Sequence, residues 1–142
     1  MRLFKVLMLI GAVGAAYHLS HARTGFPALP DGYSPGQFVA AAMPQEASGN
    51  TVLIVAPVNC RANAARTQRA NALADELTRR GIPNRMSTQI SFRVSGPGAV
   101  DRTGMKATEA VLEAGPPVVF VNGLGKANPS PDEVAEVYRR TQ

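Results

Sequence analysis

Cysteine and histidine are scarce in this chain of 142 residues. It contains one cysteine, Cys60, and two histidines, His18 and His21. A single cysteine excludes an internal disulfide, so its thiol is free, reactive or bonded to another molecule. Both histidines lie in or beside an N-terminal segment that we expect to be cleaved. Without them the chain lacks the residues for a zinc site and for histidine-based acid–base catalysis, so we expect no metal.

Charge of one sign is not concentrated enough to indicate a nucleic-acid partner. Charged residues make up 18% of the chain, and the formal net charge is +5. Removal of residues 1–22 takes away Arg2 and Lys5 and no acidic residue, which leaves an excess of three positive charges. This excess is too small for the electrostatic footprint of a nucleic-acid-binding protein, and we expect no such partner.

The first 22 residues have the pattern of an export signal. Arg2 and Lys5 precede an apolar run, residues 6–16, and Ser20 and Ala22 supply small residues for a cleavage site. The run is shorter than the ~20 residues that a membrane-spanning helix needs. A cleaved signal peptide and a periplasmic or secreted protein are therefore predicted. The alternative is an uncleaved anchor, since residues 17–19 could extend the run, and only then would the chain be attached to a membrane.

Residues 23–50 form a lead-in rich in proline, glycine, serine and alanine. One short helix is predicted inside it, from Pro35 through "FVAAAM", and Pro44 ends it. Ser34 is placed as its N-cap, Pro35 suits the first helical position, and Gln37 completes a capping box. The folded domain is then expected over residues 51–142.

Hydrophobic periodicity and turn residues divide residues 51–142 into seven elements. The fully apolar "TVLIVA" predicts a buried strand, and the Asn122–Gly123 pair predicts a hairpin. The elements are, in order, strand 51–56, helix 61–80, strand 85–94, helix 103–114, strand 118–121, a returning strand over 124–127, and a last helix capped by Ser130. The order β-α-β-α-β-β-α predicts an α/β fold with a central four-stranded mixed sheet.

This order, with a cysteine directly after the first strand, resembles the thioredoxin fold, and the closer likeness over residues 50–140 is to glutaredoxins. "VLIVAPVNCRAN" resembles their strand, loop and active-site cysteine. "PVVFVNG", from Pro117 to Gly123, resembles their P-x-V-F-I-N-G motif, in which the proline is cis and faces the cysteine. The resemblance implies a three-layer fold in which Cys60 is the nucleophile and Pro117 the cis-proline.

The chain departs from that family at two places that bear on its ligands. "CRAN" ends with Asn63, where the family has cysteine or serine. Ala127 and Asn128 stand where glutaredoxins have the glycine pair that approaches glutathione. Side chains there obstruct close approach of a backbone, which disfavours glutathione, and no other cofactor is indicated.

Two functions follow from these residues. In the first, Cys60 exchanges disulfides with a partner, because the helix N-terminus and Arg61 stabilise its thiolate and Pro117 orients the bound segment. In the second, the chain is a redox-silent thioredoxin-fold module in a cell-envelope assembly. It would hold another protein through the groove between Cys60 and Pro117 or through the basic helix face. The arginines of that face, which equally suit a solvated surface, are Arg61, Arg66, Arg69, Arg79 and Arg80.

A third and weaker possibility is a homodimer. Because Cys60 has no second cysteine within the chain, it could pair with the Cys60 of another copy.

Overall fold

The computed structural model describes residues 36–58, 61–93 and 102–142. These residues form five strands and three α-helices, with a short 3₁₀ turn, Arg61–Asn63, before the first helix. The elements are β1 (Val39–Ala40), β2 (Val52–Val55), α1 (Ala64–Arg79), β3 (Asn84–Ser87), α2 (Arg102–Glu113), β4 (Val118–Val121), β5 (Leu124–Ala127) and α3 (Pro131–Arg140).

The strands form one mixed sheet in the order β1-β5-β4-β2-β3. β2 runs parallel to β3 and antiparallel to β4, and β5 runs antiparallel to both β4 and β1. The two central strands, β2 and β4, are apolar throughout and almost completely buried. Unbroken apolar sequence in a strand indicates cover on both faces of the sheet, and the structure confirms that expectation.

Side chains alternate between the two faces of the sheet along each strand, so the sheet has a separate hydrophobic core on each face. Val52 and Ile54 of β2 face a core shared with α1 and α3, which includes Leu73, Leu77 and Val134. Leu53 points to the opposite face, where Val111 of α2 packs. The chain therefore folds into three layers, with α1 and α3 on one face of the sheet and α2 on the other.

The prediction of a short helix between residues 23 and 50 is wrong. A strand, β1, lies where that helix was predicted, and it makes the sheet five-stranded instead of four-stranded. Val39 and Ala40 pair antiparallel with Gly125 and Leu124 at the edge of β5. Phe38 packs in the core beside α1, whereas Val39 and Ala41 pack in the opposite core. This period of two follows the sheet and overrides the local helix signals. Ser34 and Pro35 lie outside the described residues.

The strand predicted over residues 85–94 is much shorter in the structure, because β3 ends at Ser87. The Ser87 hydroxyl donates a 2.5 Å hydrogen bond to the carbonyl oxygen of Gln89 and accepts one from its N–H. This local turn ends the strand, since a short polar side chain can replace a ladder partner. Met86, in this short strand, is 38% exposed.

The hairpin signal at Asn122–Gly123 and the N-cap of the last helix are confirmed. Asn122 and Gly123 both have positive φ angles, 45° and 85°, as a tight hairpin between β4 and β5 requires. At the start of α3, the Ser130 side chain accepts a hydrogen bond from the Glu133 N–H, and the Glu133 side chain accepts one from the Ser130 N–H. This reciprocal pair is a capping box, and it confirms Ser130 as the N-cap of the last helix.

Candidate binding site beside Pro117

Pro117 lies directly before β4, beside the C-terminal end of β2. The peptide bond between Pro116 and Pro117 is cis, as the resemblance implies, and Pro117 is buried. The next residue, Val118, pairs with Val55, the last residue of β2. Pro117 is therefore level with the point at which the chain leaves β2, whose last residue precedes Cys60 by five positions in the sequence.

Of the other two predicted site residues, Cys60 and Arg61, the structure describes only Arg61. Cys60 lies outside the described residues, so its distance from Pro117 stays an expectation. Arg61 opens the 3₁₀ turn and is exposed. The Asn63 side chain donates a 3.4 Å hydrogen bond to the carbonyl oxygen of Val58, which joins the start of α1 to the loop after β2. The valine itself is 66% exposed, so this loop presents an apolar side chain to solvent.

A pocket of about 420 Å³ lies between α1 and the loop that joins β5 to α3, and Pro117 forms part of its wall. We call it the Pro117 pocket. Apolar residues supply half of its lining and charged or amide side chains the other half. The apolar lining is Ala72, Leu73, Pro117, Pro129 and Pro131, and the polar lining is Arg69, Glu76, Arg79, Arg80 and Asn128.

Asn128 fixes the loop side of the pocket. Its N–H donates a 2.7 Å hydrogen bond to the carbonyl oxygen of Pro117, and its side-chain amide donates one of 3.2 Å to that of Gly115. Its φ angle is +47°, in the left-handed region that asparagine tolerates better than most residues. Asn128 thus holds the end of β5 against the start of β4.

Charged side chains join the helix side of the pocket to α3. Arg80 donates to Glu76 at 2.8 Å and to Asp132 at 2.7 Å, which links α1 to the first turn of α3. Arg79 also contacts Glu76. The hydrogen bond from Arg80 lowers the pKa of Glu76, and the same bond, with that to Asp132, raises the pKa of Arg80. Both groups therefore stay charged near neutral pH.

Sequence reasoning identified Pro117 but not the pocket. The sequence predicts no functional role for Leu73 or Pro129, which both line the pocket. No local signal brings these two residues together, because they are far apart in the sequence and meet only when α3 packs beside α1. Three of the five arginines that the sequence assigns to a basic helix face, Arg69, Arg79 and Arg80, line the pocket.

A second pocket, of about 700 Å³, lies along α2 on the other face of the sheet. Its apolar lining comes from Phe92, Met105 and Leu112. None of the residues predicted to carry function lines it.

Residues 36–58, 61–93 and 102–142 contain neither a metal-binding cluster nor a membrane-spanning helix. No group of three or more histidine, cysteine, aspartate or glutamate side chains there is placed to hold a metal ion. None of the helices there is both long enough and apolar enough to cross a membrane.

Comparisons of the chain with protein-family models, with curated proteins and with solved structures found no match. A functional proposal therefore depends on the geometry of the site itself.

Proposed function

We propose that the chain is a thioredoxin-fold binding module that holds a segment of a protein partner in the Pro117 pocket. The observation that carries this proposal is the pocket that Pro117 shares with α1. The assignment to the thioredoxin fold is supported by the order of the elements from β2 to α3, by the mixed sheet between helical layers, and by the cis bond before Pro117.

The pocket has the properties of a binding site for part of a larger molecule. Its volume of about 420 Å³ falls within the ~300–1,000 Å³ typical of ligand sites. An apolar floor with a few polar groups at its margin gives affinity through burial and orientation through hydrogen bonds. The bonds from Asn128 and the Arg80–Asp132 contact hold its walls in place before a ligand arrives. Such preorganisation reduces the entropy lost on binding.

The export signal predicted over residues 1–22 gives the proposal a location. A protein carried across a membrane meets partners in the cell envelope or outside the cell. We therefore propose an envelope protein as the partner.

The proposal is tested by filling the pocket. Peptides are selected from a randomised display library on the full chain, and their affinities are measured for two variants. Ala72→Trp places a bulky ring in the pocket, whereas Asn71→Trp places the same ring on the neighbouring exposed position, which does not line it. Selected peptides should lose binding to the first variant and keep it for the second. Equal binding to both, or no enriched peptide, would contradict the proposal.

Thiol–disulfide exchange through Cys60 is a second candidate. The observation that favours it is the place of Pro117 beside the end of β2, the strand that leads to the cysteine. The Cys60 thiolate would attack one sulfur of a partner disulfide, form a mixed disulfide and release the other sulfur as a thiolate. A further thiol from a partner must then resolve the intermediate, because the chain has no second cysteine.

The rate of Cys60 alkylation against pH tests this candidate. A midpoint well below the ~8.5 of an ordinary thiol, with rapid reaction in the folded state, supports it. Mass spectrometry should then detect a mixed disulfide with a peptide disulfide, and Cys60→Ser should abolish it. Alkylation only after unfolding would rule the candidate out.

A further inference from the structure

The lining that α1 gives to the Pro117 pocket is one continuous strip of the helix. Its members are spaced three, four, seven, ten and eleven residues from Arg69, which places them on one face. They are Arg69, Ala72, Leu73, Glu76, Arg79 and Arg80. Ten residues of helix cover ~15 Å, the length of about five residues of extended chain. The strip is therefore long enough for a short peptide and is more than a single side chain can cover.

The two ends of the strip differ in charge. At the C-terminal end, Arg79 and Arg80 are matched by Glu76 and Asp132. At the other end, Arg69 is exposed and forms no ion pair with any acidic side chain in the described parts of the chain. The acidic residues of α1 are confined to positions 75 and 76. Positive charge thus accumulates at the Arg69 end alone.

Between the two ends the pocket is apolar. Leu73 is 4% exposed, and Pro117 and Pro129 are buried, so they form a floor rather than a rim. An apolar side chain that enters the pocket would meet these residues, and a carboxylate one or two residues away would reach Arg69. Arginine forms strong, directional hydrogen bonds with carboxylates.

From this arrangement we infer that the Pro117 pocket recognises an acidic peptide segment, with an apolar side chain against Leu73 and Pro117 and a carboxylate on Arg69. This inference rests on the proposed function and adds the chemistry of the partner. The segment binds in one direction along α1, because only one end of the strip offers an unmatched cation.

The test uses two amidated peptides, Ala-Glu-Leu-Ala-Leu-Ala and its glutamine counterpart, each labelled with a zwitterionic dye. Fluorescence polarisation measures their affinity for the full chain and for two variants. Arg69→Gln removes the charge at the pocket. Arg66→Gln is the matched control, since it removes the same charge from an exposed position on the same helix that does not line the pocket.

The glutamate peptide should bind the unmodified chain roughly two- to fivefold more tightly than the glutamine peptide at low salt, because an ion pair with an exposed arginine is worth at most about 1 kcal/mol. Arg69→Gln should abolish that preference, and Arg66→Gln should change it less than about twofold, since it lowers only the general positive potential. Equal affinity of the two peptides for the unmodified chain would overturn the inference. The inference would also be overturned if Arg69→Gln and Arg66→Gln reduced the preference for the glutamate peptide equally.

Ala72→Trp separates this inference from the proposed function. If both peptides bind equally to the unmodified chain and both are lost in Ala72→Trp, the pocket is a peptide site without charge selectivity, and only the inference fails. If neither peptide's binding changes in Ala72→Trp, the pocket is not the site, and both fail.

Discussion

The backbone N–H of Asn128 donates a 2.7 Å hydrogen bond to the carbonyl oxygen of Pro117. This bond joins the residue directly after β5 to the residue directly before β4, and both line the same pocket. The wall of the proposed site is thus an extension of the β4–β5 ladder. Its shape depends on the sheet as well as on the loop.

Asn128→Ala should destabilise the protein by roughly 1–2 kcal/mol. The substitution removes the hydrogen bond to Gly115, and alanine tolerates a φ of +47° less well than asparagine does. Asn128→Gly loses the same bond but accepts the backbone conformation, so its loss should be smaller. Urea unfolding of the three proteins measures the difference. A glycine variant less stable than the alanine variant would show that backbone conformation is not the cause.

Glu133→Gln should destabilise the protein by about 1–3 kcal/mol at neutral pH. The Lys126 side chain is only 7% exposed and donates to Glu133 at 2.5 Å and to the carbonyl oxygen of Gly36 at 2.8 Å. Glutamine preserves the capping of α3 but leaves the lysine charge unmatched. Glu136→Gln, at an exposed position of the same helix, is the control and should change stability little. If the two substitutions lower the thermal stability equally, the ion pair between Lys126 and Glu133 does not stabilise the fold.

The same pair should make stability depend on pH in the acid range. The hydrogen bond from Lys126 and then that from the Ser130 N–H lower the pKa of Glu133 below its ordinary value of 4.5. The folded state therefore binds fewer protons than the unfolded state. The stabilisation is complete above pH 4.5 and is lost as the pH falls through the lower, folded-state pKa. Glu133→Gln should flatten this decline in unfolding curves between pH 5 and 2.

Two other carboxyl groups keep part of that acid dependence in the Glu133→Gln variant. Hydrogen bonds from the Ser91 N–H and hydroxyl lower the pKa of Glu46, and the bond from Arg80 lowers that of Glu76. An unchanged slope in the variant would mean that these groups, and not Glu133, cause the decline.

Gly125→Ala should cost roughly 1–3 kcal/mol through crowding. A Cβ atom at this position would lie 3.0 Å from the ring of Phe120 and 3.2 Å from the Cβ of Ala41. The Phe120 side chain is completely buried, so its ring can move away only by displacing its neighbours in a close-packed core. In a Phe120→Leu background the smaller side chain relieves part of the contact, so the added cost of Gly125→Ala should shrink. A double-mutant cycle by denaturant unfolding measures the coupling, and additive effects would contradict the steric cause.

Ser130→Ala should lower the free energy of unfolding by about 1 kcal/mol, because the Glu133 N–H loses its side-chain acceptor at the start of α3. Ser130→Asp supplies another acceptor and should restore most of that loss. Circular dichroism during urea unfolding reports both changes. An aspartate variant no more stable than the alanine variant would show that the cap does not hold this helix.

The parts of the fold that the sequence predicts correctly are those with local signals. The Asn122–Gly123 turn, the capping box of α3 and the apolar strands β2 and β4 each depend on residues that are neighbours in the chain. β1 was missed because Val39 and Ala40 extend only to pair with the open edge of β5, about 85 residues later. Such pairing leaves no trace in the local pattern, and the residues before it favour a helix.

The site was predictable to a similar degree. Pro117 was identified through a resemblance in sequence, and Arg69 was named as part of a basic face. The pocket that contains both residues depends on the approach of the β5–α3 loop to α1. That approach is a tertiary property. In the sequence, Asn128 is notable only as a departure from the glycine pair of glutaredoxins, and Pro129 carries no charge or motif.

The central claim is that a peptide occupies the Pro117 pocket, and a ¹H–¹⁵N correlation spectrum of the full chain, titrated with the glutamate peptide, tests it most directly. The amides of Arg69, Leu73 and Asn128 should shift with one common saturation curve, while those of Met105 and Leu112 in the second pocket should not move. Shifts confined to α2, or no saturable shift around Pro117, would contradict the claim.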